Sequence, residues 1–253
     1  MAPLLETRDI SVHFGGLTAV KNVSFGIEPG ERLALIGPNG AGKTTLFNVL
    51  TGQLKPSAGA VYFKGRDITR AKVFERTHMG IARSFQITSL FPYHTVKVNA
   101  LIALEGTRKG RYNVVRYLMK DKIAQADAQK LLESTELWEL RDEVVSSLAY
   151  GQQRRLEMAL SLASDPELLL LDEPSCGLTT AESADITTRI RDLGSKITVL
   201  MIAHDMDLVF GVAERVILLH YGEIACEGTC DEIRSNQMVK DIYMGSRKVR
   251  HGR

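Results

Sequence analysis

The chain has 253 residues, of which 44% are hydrophobic and 25% are charged, and it carries a formal net charge of +2. This composition predicts a globular domain with a sizeable core, and the near-zero charge gives no electrostatic footprint for nucleic acid. No apolar run reaches the roughly 18 residues that a transmembrane helix needs. The N-terminus lacks the basic and then apolar pattern of a signal peptide. The three cysteines lack metal-ligand spacing, so we expect reduced thiols in a cytosolic protein.

Two antiparallel strands are predicted at the N-terminus. Residues 5–14 alternate between apolar and polar side chains, and Gly15 and Gly16 turn the chain back towards the apolar segment 20–25. Phe14 ends the first strand, well ahead of the glycine loop that begins at Gly37. An aromatic ring at this position can stack on a purine base, and a core phenylalanine beside a turn is the alternative.

A phosphate-binding loop is predicted at residues 37–45. Their sequence, Gly-Pro-Asn-Gly-Ala-Gly-Lys-Thr-Thr, matches the pattern G-x-x-x-x-G-K-[ST] and lies between a buried strand at 32–36 and a helix at 45–50. The backbone N–H groups of such a loop converge on one phosphate, because glycines allow its close approach. Lys43 is expected to reach the β- and γ-phosphates, and the Thr44 hydroxyl is expected to bind Mg²⁺. The predicted nucleotide-binding residues of this loop are Gly37, Pro38, Asn39, Gly40, Ala41, Gly42, Lys43, Thr44 and Thr45.

Gln86 ends a further predicted strand. Residues 60–63 form a strand that is followed by a tight turn at Lys64 and Gly65, and residues 80–86 form the next strand. Ligands gather at the carboxyl edge of an open α/β sheet, which is where Gln86 is expected. Its side chain can offer a carbonyl oxygen to Mg²⁺ and an amide to water. Taken alone, a glutamine at this position is more often a surface residue.

A helical block is predicted between residues 89 and 148, where the strand signals stop. Segments 98–104, 114–119 and 123–136 have the apolar spacing of helices, so the block is predicted to be an insertion into the α/β domain. Residues 106–112 are basic and flanked by glycines. A solvated loop is the simpler interpretation of this stretch, and a surface that faces phosphate or lipid is the alternative.

A second anion site is predicted at the start of the next helix. Gly151 precedes an amphipathic helix that carries Leu156, Ala159, Leu160 and Ala163 on one face. The first turn of a helix has unpaired N–H groups and a positive dipole end, and both favour an anion. An ordinary helix start is the alternative.

Two acids follow a buried strand. Residues 168–171 are all leucine, which is typical of a strand covered on both faces of a parallel sheet, and Asp172 and Glu173 come next at the carboxyl edge. Asp172 is expected in the Mg²⁺ shell, and Glu173 is expected to take a proton from an attacking water. Residues 198–203 form another buried strand, and His204 at its edge can bond to a γ-phosphate.

The C-terminal part is predicted to contain a helix, a hairpin and a tail. The helix covers residues 181–193, and the hairpin covers residues 215–228 with its turn at Tyr221 and Gly222. The tail at 247–253 is basic and is expected to fray.

Taken in chain order, these features resemble the nucleotide-binding subunits of ATP-binding-cassette (ABC) transporters over nearly the whole length. The matching features are the phosphate loop at 37–45, Gln86, the signature at 148–152, the pair Asp172-Glu173, and His204. The resemblance implies an α/β fold, namely a P-loop NTPase of ABC type with a RecA-like mixed-sheet core, an N-terminal antiparallel β region and an inserted helical subdomain. The implied division is an ATP-binding core at 1–88 and 166–246, a helical subdomain at 89–165 that ends in the signature helix, and the basic tail at 247–253.

A narrower resemblance is to the ATPases of branched-chain amino acid importers, and above all to the subunit that pairs with a second, different ATPase. It is carried by residues 80–86, 90–92, 148–157 and 203–207. Urea and short-amide importers share these features, and an exporter is also compatible with the cassette. ABC ATPases of DNA repair or translation usually carry two cassettes or a long coiled coil, and neither is visible in this sequence. A small-molecule kinase is a distant alternative that the signature and His204 disfavour.

The signature departs from the usual Leu-Ser-Gly-Gly-Gln, because Ala149 and Tyr150 replace the serine and the first glycine. In the family that serine donates a hydrogen bond to the γ-phosphate held by the opposite subunit, which Ala149 cannot do. The N–H groups around Gly151 must then contribute more, or that site is weaker. Thr179 stands where many members have aspartate, which leaves a less charged contact across the dimer.

The resemblance also implies how the residues act together. The adenine would stack on Phe14, Glu173 would polarise the attacking water, and His204 would hold the γ-phosphate. The implied Mg²⁺ ligands are Thr44, Gln86 and Asp172. The implied catalytic residues are Glu173, His204 and Gln86. The facing subunit would contact the phosphates through Ala149, Tyr150, Gly151 and Gln152.

The implied partners are integral-membrane permease subunits, a second ATP-binding subunit in a head-to-tail homodimer or heterodimer, and indirectly a periplasmic solute-binding protein. No nucleic acid is expected. The protein would be peripheral to the cytoplasmic face of the inner membrane. A groove for the permease is predicted at Phe85, Leu90, Phe91 and Tyr93, and a place in the core of the helical block is the alternative for these residues.

Overall fold

The computed structural model describes residues 2–84, 90–107 and 121–248, and these contain a four-stranded and a six-stranded sheet. The four-stranded sheet consists of β1 (Leu5–Phe14), β2 (Leu17–Ile27), β4 (Ala58–Phe63) and β5 (Arg66–Asp67). The six-stranded sheet consists of β3 (Arg32–Ile36), β6 (Ile81–Arg83), β7 (Leu168–Asp172), β8 (Thr198–Ile202), β9 (Arg215–His220) and β10 (Glu223–Thr229). The strand orders are β2-β1-β4-β5 and β10-β9-β3-β8-β7-β6.

The directions of the strands confirm the predicted mixed architecture. In the small sheet β1 pairs antiparallel with both β2 and β4. In the large sheet β6, β7, β8, β3 and β9 are parallel, whereas β10 returns antiparallel to β9. Tyr221 and Gly222 form the turn of that hairpin with φ values of 48° and 81°, which is the left-handed conformation that a two-residue hairpin turn favours.

The large sheet is covered on both faces because neighbouring residues of a strand point to opposite sides. Leu33 and Leu35 of β3 pack into a cluster shared with the small sheet and α1 (Lys43–Thr51). Ala34 and Ile36 pack into a second cluster on the other face. The leucines of β7 divide in the same way between the two clusters. These apolar strand residues are fully buried, so the carboxyl ends of β3, β7 and β8 are rigid positions for functional residues.

Some of the helices pack against the sheets, and three of them form a block with its own hydrophobic cluster. The remaining helices are α2 (Val73–His78), α3 (Val96–Thr107), α4 (Lys122–Ser134), α5 (Tyr150–Leu162), α6 (Thr180–Arg191), α7 (Met206–Val212), α8 (Cys230–Ser235) and α9 (Gln237–Lys248). Members of α3, α4 and α5 share a third hydrophobic cluster that includes Val96, Ala128 and Leu156. The predicted helical insertion therefore has a core of its own.

Several predicted boundaries need correction. Of the strand predicted at 80–86, β6 covers Ile81–Arg83 and excludes Gly80 and Ser84, while residues 85–89 lie outside the described residues. The helix predicted at 123–136 ends at Ser134, because Glu136 adopts a left-handed φ of 56° that a helix cannot contain. The helix predicted at 181–193 is α6, which ends at Arg191.

Other predictions fall partly or wholly outside the described residues. The helical segment predicted at 114–119 cannot be compared with the structure for this reason. Of the basic stretch 106–112, the first two residues end α3, and residues 108–112 lie outside the described part of the chain. The predicted tail begins inside α9, which runs to Lys248, and residues 249–253 lie outside as well.

Two global expectations can be compared with the structure. Cys176, Cys226 and Cys230 are free thiols, as expected. Within the described ranges, the helices are too short or too polar to cross a membrane.

Candidate functional site: a phosphate loop beside two acids

The predicted phosphate loop connects β3 to α1, and its glycines are required by the packing. Gly37 has a φ of 149°, and a Cβ at this position would lie 2.2 Å from the Leu219 carbonyl oxygen. Gly42 has a φ of 99°, and a Cβ there would lie 2.4 Å from the Ala19 carbonyl oxygen. No other residue type fits either position without moving the backbone. The loop therefore lies directly against the surrounding strands, with Asn39 and Gly40 exposed at its outer face.

Lys43 is the first residue of α1, and its side chain turns back into the loop. Its Nζ donates to the carbonyl oxygens of Gly37 at 2.7 Å and Pro38 at 3.0 Å. The residue is 5% exposed, and burial lowers the pKa of its ammonium group, while the charges of Glu173 and Asp172 oppose that shift. Neutral carbonyls compensate a buried cation only partly, so this ammonium group is suited to a negatively charged ligand.

Asp172 ends β7 and is buried beside a cation. Its Oδ2 accepts a hydrogen bond from Arg83 Nη2 at 2.7 Å, and its side chain has no exposed surface. Burial raises the pKa of this carboxyl, and Arg83 opposes the shift. Among the described residues, Oδ1 of Asp172 is buried without a hydrogen-bond partner. A buried, unpaired carboxylate oxygen needs a further donor or a cation.

The residues around Asp172 fit the requirements of Mg²⁺ in a nucleotide site. The described residues contain no group of three or more His, Cys, Asp and Glu side chains that is arranged for a metal ion. Mg²⁺ in nucleotide sites is commonly held by one or two protein oxygens, by waters and by the phosphates themselves. The unpaired Oδ1 of Asp172, together with the exposed Thr44 at the start of α1, fits that requirement.

Arg83 is a residue of this site that the sequence analysis missed. Its guanidinium also donates to Asn48 Oδ1 and Gln53 Oε1, each at 2.8 Å, so it joins Asp172 to the end of α1. The available signal was a charged residue that follows two apolar residues in a predicted strand, and the structure buries both Ile81 and Ala82. Such a residue is seldom buried unless it is paired.

Glu173 and His204 lie together at the carboxyl ends of β7 and β8, which are neighbouring strands in the structure. The distance from His204 Nε2 to Glu173 Oε1 is 3.0 Å. Burial lowers the pKa of His204, and nearby Lys43 lowers it further, whereas Glu173 raises it. A neutral imidazole can donate from Nε2 to the Glu173 carboxylate. Glu173 itself has a left-handed φ of 49°, a conformation that is uncommon for a residue with a side chain and is found at functional sites.

The predicted signature forms the start of α5. Ala149 is the N-cap, and its N–H donates to Gln152 Oε1 at 2.9 Å. The Tyr150 hydroxyl donates to the Cys176 carbonyl oxygen at 3.2 Å, and its ring packs against Gly177. Tyr150 therefore connects α5 to the segment that follows Glu173. The sequence did not reveal this contact, which gives Tyr150 a structural role within its own chain.

The remaining predicted site residues have different outcomes. Phe14 is 51% exposed, so it is not a core residue. Gln86 lies outside the described residues. Of the predicted groove, Leu90 belongs to the core of the helical block, whereas Phe91 and Tyr93 are exposed. Phe85 lies outside the described residues as well.

The sequence of residues 20–176 matches the family model described as "ABC transporter". This chain belongs to the ABC transporter family. The ABC ATPase fold accounts for the order of the phosphate loop, the acid pair and the histidine around one sheet edge. Family membership also makes the chain a nucleotide-binding protein and an ATPase.

Individual relatives cover nearly the whole ABC ATPase chain. The high-affinity branched-chain amino acid transport ATP-binding protein LivG of Salmonella typhimurium is 38% identical over 96% of this chain and 98% of the relative. The high-affinity branched-chain amino acid transport ATP-binding protein BraF of Pseudomonas aeruginosa is 36% identical over the same shares. The crystal structure of the ADP conformation of an ATP-binding cassette matches with a TM-score of 0.85 at 31% identity, over 97% of this chain and 100% of that chain. A dimeric cassette in a post-hydrolysis state bound to ADP and phosphate matches with a TM-score of 0.76 at 26% identity, over 89% and 98% of the two chains.

Proposed function

We propose that this chain is the ATP-hydrolysing subunit of an importer for branched-chain amino acids, which acts through partner permeases. The observation that carries the ATPase part is the cluster of Lys43, Asp172, Glu173 and His204 beside one glycine loop. The names of the relatives support the class of solute. Import of urea or short amides is the second candidate, because its ATPases share the same sequence features. Export is a third candidate, and a role in DNA repair or translation is the least favoured one.

Nucleotide binding is proposed to involve Lys43 and the loop around it. On binding, the ammonium group would leave the carbonyl oxygens of Gly37 and Pro38 for phosphate oxygens, which are stronger acceptors for a cation. The backbone N–H groups of the loop would bind the same phosphates at the start of α1. The exposed ring of Phe14 would stack on the adenine.

Mg²⁺ is proposed to be held by Thr44, Asp172 and Gln86. Oδ1 of Asp172 has no hydrogen-bond partner in the described part of the chain, which supports this assignment, while Arg83 holds the other oxygen of the same carboxylate. Bound Mg²⁺ would supply charge compensation for the phosphates. Asp172 is inside the protein and is supported by a cation, so its carboxylate would be oriented before the ion arrives.

Glu173 is proposed as the residue that polarises the attacking water. Its charge acts on Lys43, and its Oε1 lies 3.0 Å from His204 Nε2, which is hydrogen-bond distance when that nitrogen carries a proton. That bond would fix the rotamer of Glu173 and leave its second oxygen for the water. When the γ-phosphate is present, His204 would exchange this partner for a phosphate oxygen. The histidine would then link the presence of ATP to the freedom of Glu173.

A second subunit is proposed to complete the site with residues 149–152 of its own signature. Ala149 has no hydroxyl, so the N–H groups at the start of α5 would be the donors to phosphate. Tyr150 would hold this helix start against the segment after Glu173 through its bond to Cys176. Purification of the complex from membranes decides whether the second subunit is a copy of this chain or a different ATPase.

The permease is proposed to dock on the helical block at the cytoplasmic face of the inner membrane. A cavity of about 220 Å³ separates β6 from α3 and α5, and Leu90 and Phe91 line its rim. Phe91 and Tyr93 are 47% and 87% exposed. Val144 is also exposed, and a β-bridge to Thr95 places it beside the same segment. An apolar partner helix would cover these side chains. A periplasmic solute-binding protein would supply the solute to the permease.

Purification of the tagged chain from detergent-solubilised membranes tests this proposal. We expect two permease chains, a second ATPase and a solute-binding protein to be recovered and identified by mass spectrometry. Titration of the recovered solute-binding protein with leucine, isoleucine, valine and urea then separates the two importer candidates. Recovery of ribosomal or DNA-repair proteins without a permease would refute the transport function while leaving the ATPase chemistry intact.

A further inference from the structure

The C-terminal helix α9 contacts the phosphate loop. Val239 is buried, and Ile242 and Tyr243 pack against the second hydrophobic cluster, which contains Ala34 and Ile36 of β3. The hydroxyl of Tyr243 accepts a hydrogen bond from the N–H of Gly37 at 2.9 Å, across a separation of 206 residues. Burial raises the pKa of the Tyr243 hydroxyl and the Gly37 bond opposes that shift, so the group is neutral at physiological pH.

Gly37 is a buried residue whose two polar backbone groups are bound by side chains. Its N–H donates to Tyr243, and its carbonyl oxygen accepts from Lys43 Nζ at 2.7 Å. It cannot be replaced by a larger residue, because a Cβ would lie 2.2 Å from the Leu219 carbonyl oxygen. A buried N–H without an acceptor is costly. Tyr243 therefore satisfies the first N–H group of the phosphate loop.

The outer face of the loop has little other support. A cavity of about 720 Å³ borders Pro38, Asn39 and Gly40, and its opposite wall is formed by Tyr221 and by α9. Next to Tyr221, the N–H of Gly222 donates to the Ala41 carbonyl oxygen at 3.1 Å. Ala41 anchors the end of the loop in the hydrophobic core, so it is the exposed outer part at Asn39 and Gly40 that depends on single hydrogen bonds rather than on packed side chains.

We propose that Tyr243 is a positioning residue for the nucleotide site. Its hydroxyl holds Gly37 in place when the Lys43 ammonium group leaves Gly37 for the phosphate. This inference rests on the proposed change of partner by Lys43. In the empty loop Gly37 is held at both backbone groups, whereas in the occupied loop the Tyr243 bond is the side-chain anchor that remains. Without the hydroxyl, the empty loop can shift to relieve its unpaired N–H. The occupied loop cannot do so, because its N–H groups must match the phosphate. The loss is therefore greater for the bound state, and affinity falls.

Tyr243→Phe tests the hydroxyl alone, since it keeps the ring that packs against the core. Binding of ADP to the full chain is measured by calorimetry, first with EDTA and then with Mg²⁺. We expect the variant to bind ADP about three- to tenfold more weakly under both conditions, which is the range for one lost hydrogen bond. We expect a similar rise in KM for ATP with a smaller change in kcat, because the hydroxyl does not touch the reacting atoms.

Two control variants separate positioning from general stability. Tyr221→Phe removes a hydroxyl from an 83% exposed tyrosine beside the same cavity, and its ADP affinity is expected to equal that of the wild type. Val239→Ala weakens the packing of α9 while leaving Tyr243 intact, and we expect it to lower the thermal midpoint with little change in ADP affinity.

The outcomes distinguish this inference from the proposed function. Wild-type ADP affinity in Tyr243→Phe would overturn the positioning role, while ADP binding by the wild type would still support the nucleotide site. Equal losses of affinity in Tyr243→Phe and Val239→Ala would show that α9 acts only through its docking, which also overturns the role of the hydroxyl. Failure of the wild-type chain to bind ADP would instead refute the proposed nucleotide site itself, and the inference with it.

Discussion

Replacement of Arg76 by methionine is expected to destabilise the protein because of the way this residue holds the end of α1. Arg76 is 1% exposed, and its guanidinium donates five hydrogen bonds to backbone carbonyl oxygens. The acceptors are Val49, Leu50, Ile68, Thr69 and Ala71. Burial lowers the pKa of Arg76 to about 10, so the group is still charged at neutral pH. It acts as a cationic cap on the last carbonyl groups of the helix that begins at Lys43.

The magnitude follows from which acceptors lose their partner. The carbonyl oxygens of Val49 and Ile68 also accept backbone N–H groups, from Gly52 and Ala71, so they stay paired in the variant. The other three acceptors lose a hydrogen bond to a charged donor, at about 1.5 kcal/mol each, which is the low end for such bonds because the contacts to Ala71 and Thr69 are 3.2 and 3.3 Å long. Part of this loss in stability is offset, because burying methionine avoids the desolvation free energy of the guanidinium. The net loss is about 2–3 kcal/mol, or roughly 4–12 °C in thermal midpoint for a chain of this size.

Thermal and urea unfolding, followed by circular dichroism, measure this loss. The matched control is Arg70→Met, which removes an exposed arginine from the same segment and is expected to change stability by less than about 0.5 kcal/mol. Arg76→Lys keeps the charge but presents it at a single point, so we expect it to be intermediate between the wild type and Arg76→Met. If Arg76→Met were as stable as the wild type, the desolvation cost of the guanidinium would outweigh its hydrogen bonds, and the capping argument would be wrong.

Three further predictions concern the nucleotide site. Glu173→Gln is expected to keep ATP binding and to lower kcat by at least about 100-fold, because an amide cannot take a proton from water. The rate of phosphate release measures kcat, and Glu167→Gln at an exposed position is the control. Equal rates in the two variants would contradict the assignment of Glu173. Lys43→Ala is expected to weaken ADP binding by more than about tenfold, since it removes the buried ammonium group, and a calorimetric titration with unchanged affinity would count against the loop. The folded-state pKa of His204 is lowered below its usual value of about 6.5, chiefly by burial. As the pH falls, His204 is therefore protonated in the unfolded chain before it is protonated in the folded one. The free energy of unfolding decreases as the pH falls from about 6.5 towards the lowered pKa of the folded state. Urea midpoints from pH 8 to pH 5 should fall less steeply in His204→Gln, and identical slopes in both proteins would refute this.

Much of the architecture was predictable because its signals are local. The phosphate-loop pattern is complete within the consecutive residues 37–44, and the leucines of β7 indicate a strand covered on both faces. Asp172, Glu173 and His204 follow parallel strands, whose carboxyl ends share one edge, so their proximity could be expected. The bounds of the elements were less predictable, because the end of α4 depends on the left-handed conformation of Glu136.

The sequence alone predicted the proposed site of this protein, which consists of a phosphate loop, two acids and a histidine in an order that resembles the ABC ATPases. The tertiary structure decided how these groups are supported. Arg83 reaches Asp172 across 89 positions, and Tyr243 reaches Gly37 across 206 positions. No periodicity or spacing connects such residues, because their distance depends on how strands and helices far apart in the chain pack against each other. The residues proposed for the site can therefore be predicted from short motifs, whereas the residues that hold them in place become visible only when the chain is folded.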